Sequence, residues 1–219
     1  MNYLYLHGFA SSPKSSKAIF LQAQFAQVGL TLDIPDLNLN NFSEVSLTKQ
    51  LNYLKSKYGE SPLVVIGSSL GGYLALQMAI AMPQVQKLIL LAPAFEFSKC
   101  LAESLGEEAI AQWQAVGTRA VYHYGFKQEI PLNYEFYSDA QTYLPKSLER
   151  ELPILIIHGN NDEVVPCSLS RDFVSTALKN GHHRIILKIV ESDHSLGNVM
   201  DLIWQKTATF LELDLKVLD

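Results

Sequence analysis

The chain contains little cysteine and little charge. Only two of its 219 residues are cysteines, and neither Cys100 nor Cys167 lies in a CxxC pair or in a metal-type spacing with histidine. We therefore expect no disulfide framework and no metal site, and we expect both thiols to be buried or incidental. Charged residues make up 18% and apolar residues 48% of the chain, which predicts a globular protein with a large core. This length fits one domain, residues 1–219.

The sequence also lacks basic clusters and long apolar runs. Lys and Arg number 17 against 22 Asp and Glu, so no nucleic-acid partner is expected. Apolar stretches such as Leu88–Phe95 are far shorter than the roughly 20 residues that span a bilayer, so no membrane partner is expected either. Because Met1–Phe9 has no basic start of the kind found in secretory signals, the sequence favours a cytoplasmic location.

Short apolar runs alternate with longer segments of helical periodicity. This alternation predicts an α/β fold with a mainly parallel sheet of about six strands and helices on both faces. Strands are predicted at Tyr3–Leu6, Thr31–Ile34, Leu63–Ile66, Lys87–Leu91, Ile154–His158 and Ile185–Val190. Helices are predicted at about Ser16–Val28, Glu44–Tyr58, Leu70–Met82, Ser168–Lys179 and Leu196–Leu213. In the helix from Leu70, Gln77 is almost the only polar residue, so this helix should be buried against the sheet.

One segment, at about residues 94–152, is longer than an ordinary crossover between two strands needs to be. We expect it to form an inserted cap. Its aromatic residues can either line an apolar pocket for an acyl or aryl group or form the core of the cap itself, and both interpretations stay open. These residues are Trp113, Tyr122, Tyr124, Phe126, Tyr134, Phe136, Tyr137 and Tyr143.

The motif with the clearest chemical meaning is Gly67-Ser68-Ser69-Leu70-Gly71, a GxSxG pattern between a predicted strand and the predicted buried helix. A serine on such a sharp turn needs small residues two positions before and after it, which Gly67 and Gly71 supply. The turn places the Ser69 hydroxyl at the positive end of the helix, so Ser69 is the candidate nucleophile. The alternative is that these residues merely form a tight turn.

A serine nucleophile requires a base and an acid, in the chain order Ser, Asp or Glu, His. Asp162 and His194 each follow a predicted strand, so both should lie at the same edge of the sheet as Ser69. Two other acids are possible: Glu163, if the loop is shifted by one residue, and Asp193, which adjoins the histidine.

The remaining histidines are predicted to have structural roles. His158 ends a strand and should fix the loop that follows it by hydrogen bonding, whereas His123, His182 and His183 are predicted to be surface or packing residues. Two backbone N–H groups are needed to bind an oxyanion. The N–H of Leu70 follows the candidate nucleophile, and the N–H of Phe9 lies in the His-Gly turn after the first strand, so these two are the candidates.

The motifs His7-Gly8-Phe9, Gly67-Ser68-Ser69-Leu70-Gly71, His158-Gly159-Asn160-Asn161-Asp162 and Asp193-His194 occur in an order that resembles the α/β-hydrolase superfamily. The segments from Tyr5 to Ala18 and from Gly67 to Tyr73 are similar to the small bacterial esterases of the YqiA type. This resemblance implies hydrolysis of a small-molecule ester or thioester by a serine triad without a cofactor. It also implies a sheet that begins directly with the strand before the oxyanion turn. A non-catalytic binding module on the same fold is the alternative.

Overall fold

The predicted strands form one parallel sheet in the computed structural model, which describes residues 1–143, 148 and 150–213. The strands of this sheet are β1 (Asn2–Leu6), β2 (Leu32–Asp33), β3 (Leu63–Ser68), β4 (Val85–Leu91), β7 (Ile154–Gly159) and β8 (Ile185–Val190), and a separate hairpin consists of β5 (Thr118–His123) and β6 (Gln128–Asn133). The helices are α1 (Ser16–Gln27), α2 (Leu47–Tyr58), α3 (Leu70–Ala81), α4 (Phe97–Leu105), α5 (Glu107–Val116), α6 (Glu135–Ala140), α7 (Ser168–Lys179) and α8 (Met200–Leu211). Across the described ranges the sheet has six strands in the order β2-β1-β3-β4-β7-β8.

Helices cover both faces of this sheet. Residues of α1 and α8 pack on one face, and residues of α2, α3 and the segment between β4 and β7 pack on the other. All six residues of β3 and all six of β7 are buried, as expected for central parallel strands. Gln77 is buried within α3, which lies against the sheet as its apolar sequence predicted. No helix in the described ranges combines the length and apolarity needed to cross a membrane.

Two helices begin later than the sequence predicted. The helix expected from Glu44 begins at Leu47, because the side chain of Ser46 accepts a backbone N–H and caps the helix there. The helix expected from Leu196 begins at Met200, because Leu196 has a left-handed backbone with φ of 54° that helical residues do not adopt. A short 3₁₀ turn precedes each of these helices.

The segment between β4 and β7 contains helices α4, α5 and α6 and the β5–β6 hairpin, none of which the sequence periodicity predicted. Of the eight aromatic residues singled out in the sequence, three are buried and share one core with the sheet: Trp113, Phe136 and Tyr137. Three others, all on the hairpin, are exposed: Tyr122, Tyr124 and Phe126. The indole N–H of Trp113 donates to the carbonyl of Leu132 at 2.9 Å, which ties α5 to the hairpin. The core interpretation therefore applies to the buried rings.

Candidate active site

Ser69 occupies the sharp turn between β3 and α3. Its backbone has φ of 55° and ψ of −120°, a conformation that costs a non-glycine residue free energy and persists only where the surroundings impose it. The surroundings are tight on both sides. A Cβ atom on Gly67 would lie 2.2 Å from the carbonyl oxygen of Gly71, and one on Gly71 would lie 2.1 Å from the carbonyl oxygen of Leu6. Only glycine therefore fits at these two positions.

The structure brings Ser69, His194 and Asp162 together at the carboxyl edge of the sheet. The Nε2 atom of His194 lies 3.1 Å from Oγ of Ser69, and its Nδ1 atom lies 2.7 Å from Oδ2 of Asp162. Since a carboxylate can only accept, Nδ1 carries the ring proton and Nε2 is left to accept the serine hydroxyl proton. The His194 side chain is 25% exposed whereas that of Asp162 is fully buried, so solvent reaches the imidazole ring but not the carboxylate.

Asp162 accepts hydrogen bonds at both of its carboxylate oxygens. Oδ1 accepts the backbone N–H groups of Val164 at 2.9 Å and Val165 at 2.7 Å, and Oδ2 lies 3.1 Å from Nε2 of His158. Burial by itself would raise the pKa of Asp162, but the hydrogen bonds from His158, His194 and Val165 outweigh it and hold the pKa well below its usual range. Asp162 is therefore ionised at neutral pH.

The two alternative acids lie in different surroundings. Glu163 is exposed to solvent. The Oδ1 atom of Asp193 accepts the backbone N–H of Ser195 at 2.9 Å and its hydroxyl at 2.6 Å, so this carboxylate is committed to its own turn. Of the three acids, Asp162 is the one within hydrogen-bonding distance of the His194 ring.

The turn after β1 lies directly beside Ser69. A Cβ atom on Gly8 would be 3.5 Å from the Cβ atom of Ser69. In the part of the chain that the structure describes, the backbone N–H groups of Phe9 and Leu70 donate to no other protein group. Both are thus available to a ligand atom bound next to the serine hydroxyl.

His7 anchors this turn in a way that the sequence motif alone did not reveal. The ring is 2% exposed, and its Nε2 atom accepts the backbone N–H of Leu37 at 3.0 Å. The proton is therefore on Nδ1, which lies 2.9 Å from the carbonyl oxygen of Gly8 and donates to it. These two hydrogen bonds fix the backbone that presents the Phe9 N–H.

The loops that carry Asp162 and His194 are pressed against each other. A Cβ atom on Gly159 would lie 2.3 Å from the carbonyl oxygen of Ser192, so this position also accepts only glycine. The N–H of Asn161 donates to the same carbonyl at 3.0 Å, and the N–H of Asn160 donates to that of Val190 at 2.9 Å. Sequence reasoning treated Gly159 only as part of a motif, whereas in the structure it allows the two loops to meet.

The cap segment contacts the turn that bears Phe9. The Phe136 ring stacks on the Phe9 ring with centroids 5.0 Å apart and an interplanar angle of 22°. At the tip of the β5–β6 hairpin, the N–H of Tyr124 donates to the carbonyl of Ala10 at 2.8 Å. The nearby ring of His123, which the sequence predicted to be a surface or packing residue, is fully buried and lies 3.0 Å from the side-chain oxygen of Asn38.

The sheet order and the strand-turn-helix at Ser69 define an α/β-hydrolase fold, as predicted from the sequence. The same fold is found in alpha/beta hydrolase domain-containing protein 10 from mouse, with a TM-score of 0.76 and 21% identity over 96% of this chain and 89% of that chain. Est1E from Butyrivibrio proteoclasticus, solved with ferulic acid bound, gives a TM-score of 0.76 with 22% identity over 96% of this chain and 88% of that one.

Residues 2–211 match the family described as Uncharacterised protein family (UPF0227), and the chain belongs to that family. The resemblance to the α/β-hydrolase superfamily and its small YqiA-type members is thereby confirmed. Among curated proteins, the chain is similar to the mitochondrial palmitoyl-protein thioesterase ABHD10 of Rattus norvegicus, with 25% identity over 91% of this chain and 70% of the rat protein. The match to the human protein of the same name, at 26% identity, covers 65% of this chain and 47% of the human protein.

Proposed function

We propose that the protein is a serine hydrolase that cleaves carboxylic esters or thioesters of small molecules. The observation that carries this proposal is the hydrogen-bonded series from Oγ of Ser69 through His194 to Asp162, at 3.1 and 2.7 Å. The names of the curated relatives, palmitoyl-protein thioesterases, support an enzyme of the esterase or thioesterase class.

The first half of the proposed reaction forms an acyl-enzyme. His194 takes the hydroxyl proton of Ser69 at Nε2 as Oγ attacks the carbonyl carbon, and the buried carboxylate of Asp162 stabilises the resulting imidazolium. The carbonyl oxygen becomes negatively charged and accepts hydrogen bonds from the N–H groups of Phe9 and Leu70. The amino end of α3 adds a favourable dipole at the same point. The imidazolium then gives its proton to the departing alcohol or thiol as the bond to the leaving group breaks.

The second half returns the enzyme to its starting state. A water molecule approaches from the exposed side of His194. The Nε2 atom of His194 removes a proton from this water as the water oxygen attacks the acyl carbon. The same two N–H groups bind the oxyanion again, and the Ser69 oxygen leaves with the proton that His194 holds. The products are a carboxylic acid and free enzyme. These side chains and backbone groups supply every proton transfer that the reaction needs, so the proposal includes no cofactor.

Apolar rings next to the oxyanion position would contact the acyl or aryl group of the substrate. The partly exposed Phe9 ring packs on Phe97 at 5.9 Å and on Phe42 at 5.7 Å between centroids, in addition to Phe136.

Because cap residues share this cluster with the sheet core, the proposal describes residues 1–219 as one domain with a cap at 94–152. A cytoplasmic location remains part of the proposal and is tested by cell fractionation.

The experiment compares the wild type with Ser69→Ala and, as a matched control, Ser68→Ala. We expect a fluorophosphonate probe to label wild type and Ser68→Ala at residue 69, and Ser69→Ala to remain unlabelled. Hydrolysis of p-nitrophenyl esters of graded acyl length and of acyl-CoA thioesters should disappear in Ser69→Ala alone, and the better substrate series identifies the substrate class. Activity that persists in Ser69→Ala would refute the nucleophile. Folded wild type that takes up no label would favour the binding module.

A further inference from the structure

His158, at the end of β7, is fully buried and its ring makes three polar contacts. Nε2 lies 3.1 Å from Oδ2 of Asp162 and 2.9 Å from the carbonyl oxygen of Val165, and Nδ1 lies 2.7 Å from the hydroxyl of Ser170. A carbonyl oxygen has no hydrogen to give, so Nε2 carries the ring proton. The Ser170 hydroxyl can donate to Nδ1 or accept from it, so the contacts place a proton on Nε2 in either case.

The Oδ2 atom that His158 contacts is the one that accepts the proton-bearing Nδ1 of His194. Two imidazole rings, one at the end of β7 and one in the loop after β8, therefore share one carboxylate oxygen. The side chains of His158 and Asp162 are 0% exposed, so water does not compete for these contacts. Without His158, Oδ2 of Asp162 would keep only its contact with Nδ1 of His194, because both backbone N–H groups bind Oδ1.

We infer that His158 is a positioning residue for the proposed acid, beyond its role in fixing the loop. Its Nε2 proton holds Oδ2 of Asp162 in the direction of His194 and takes up part of the negative charge that would otherwise act on the His194 ring. This inference rests on the proposed function, since it assigns His158 to the same apparatus. His158 acts through Asp162 and does not touch the reacting atoms.

Other charged groups near His194 are distinct from this contact. Asp193 adjoins the ring but accepts its hydrogen bonds from Ser195. Lys17, from α1, donates to the carbonyl of Ser195 at 2.5 Å, and burial lowers its pKa against the opposing effect of the negative charges of Asp193 and Asp162. A substitution at position 158 leaves Asp193 and Lys17 in place. A change in the pH dependence of kcat/KM in such a variant therefore reports on Asp162.

The test uses two substitutions of similar size. In His158→Gln the side-chain amide nitrogen can occupy the place of Nε2 and donate to Asp162, whereas the shorter amide of His158→Asn reaches only the place of Nδ1. We expect His158→Gln to retain kcat within about threefold of wild type. We expect His158→Asn to lower kcat about 10-fold to 100-fold with little change in KM, the loss typical of one hydrogen bond to a charged group.

The pH profile separates positioning from a merely structural role. In His158→Asn the negative charge of Asp162 is no longer shared with a second ring, so it favours protonated His194 more strongly. The acidic limb of the kcat/KM profile should therefore move to higher pH in His158→Asn and stay in place in His158→Gln. If both variants keep the wild-type limb and lose activity only in proportion to their thermal stability, the inference is wrong.

A measurement that does not depend on activity keeps the two proposals separate. The nitrogen NMR spectrum of wild type labelled at its histidines should show His158 protonated at Nε2, and a ring protonated only at Nδ1 would overturn the inference even if neither variant folds. Activity that survives in Ser69→Ala refutes the proposed function but not this hydrogen bond. Loss of activity in Ser69→Ala together with an unshifted limb in His158→Asn refutes the inference alone.

Discussion

Replacing Gly71 by alanine should damage activity much more than stability. The added Cβ atom would lie 2.1 Å from the carbonyl oxygen of Leu6 and 2.6 Å from that of His7, and both oxygens belong to the backbone that leads into the proposed oxyanion turn. Such overpacking costs about 1–3 kcal/mol, and the better helix propensity of alanine offsets about 1 kcal/mol of it. The net loss of at most about 2 kcal/mol corresponds to a fall in Tm of no more than roughly 8 °C for a domain of this size.

The turn that bears the Phe9 N–H must move to relieve this contact. A displacement of about 1 Å at a reacting group costs on the order of 100-fold in rate, so kcat should fall by about that factor although the protein stays folded at 25 °C. Ester hydrolysis at saturating substrate, together with thermal unfolding, measures both effects. Gly72→Ala is the matched control, because its Cβ atom would lie 3.1 Å from the side chain of Pro93. Wild-type kcat in Gly71→Ala, or equal losses in both variants, would refute the steric argument.

Two further predictions concern the acid and the cap. Because the pKa of Asp162 is depressed in the folded state, its stabilising contribution is full above the usual carboxyl pKa of about 3.9 and is lost as the pH falls below that value. In urea unfolding, the difference in stability between wild type and Asp162→Asn should therefore shrink from about pH 5 to about pH 3. A difference that stays constant over this range would contradict the prediction. Phe136→Ala should lower the free energy of unfolding by about 3–5 kcal/mol, whereas Tyr124→Ala, at a ring 73% exposed, should change it by less than about 0.5 kcal/mol; equal unfolding midpoints would contradict the packing assignment.

The central part of the fold could be predicted because its residues are buried on every side. Strands such as Leu63–Ile66 and the helix from Leu70 are almost continuously apolar, so composition and periodicity lead to the same assignment. The cap could not be predicted in the same way. The side chains of β5 are mostly exposed or partly exposed. The hairpin is held by a contact with the neighbouring helix α5 and by a contact with Ala10, which lies far away in the sequence.

The candidate site shows a similar division. Ser69, Asp162 and His194 could be proposed because a sharp turn and parallel strands impose a fixed order along the chain. The ring contact from His158 to Asp162 depends on how the loop after β7 folds back, which no local pattern encodes. The close approach of Gly159 to the carbonyl of Ser192 depends in turn on the register between β7 and β8.

The hydrogen bond from the Tyr124 N–H to the Ala10 carbonyl has a consequence for exchanging parts between related proteins. A hairpin grafted from a relative would replace Tyr124 but leave Ala10. The graft would succeed only if its own tip placed a backbone N–H within hydrogen-bonding distance of the Ala10 carbonyl. Side-chain identity at the tip is of less concern, since the Tyr124 ring points to solvent. Loop length rather than loop composition should thus decide which chimeras keep the turn after β1 in place.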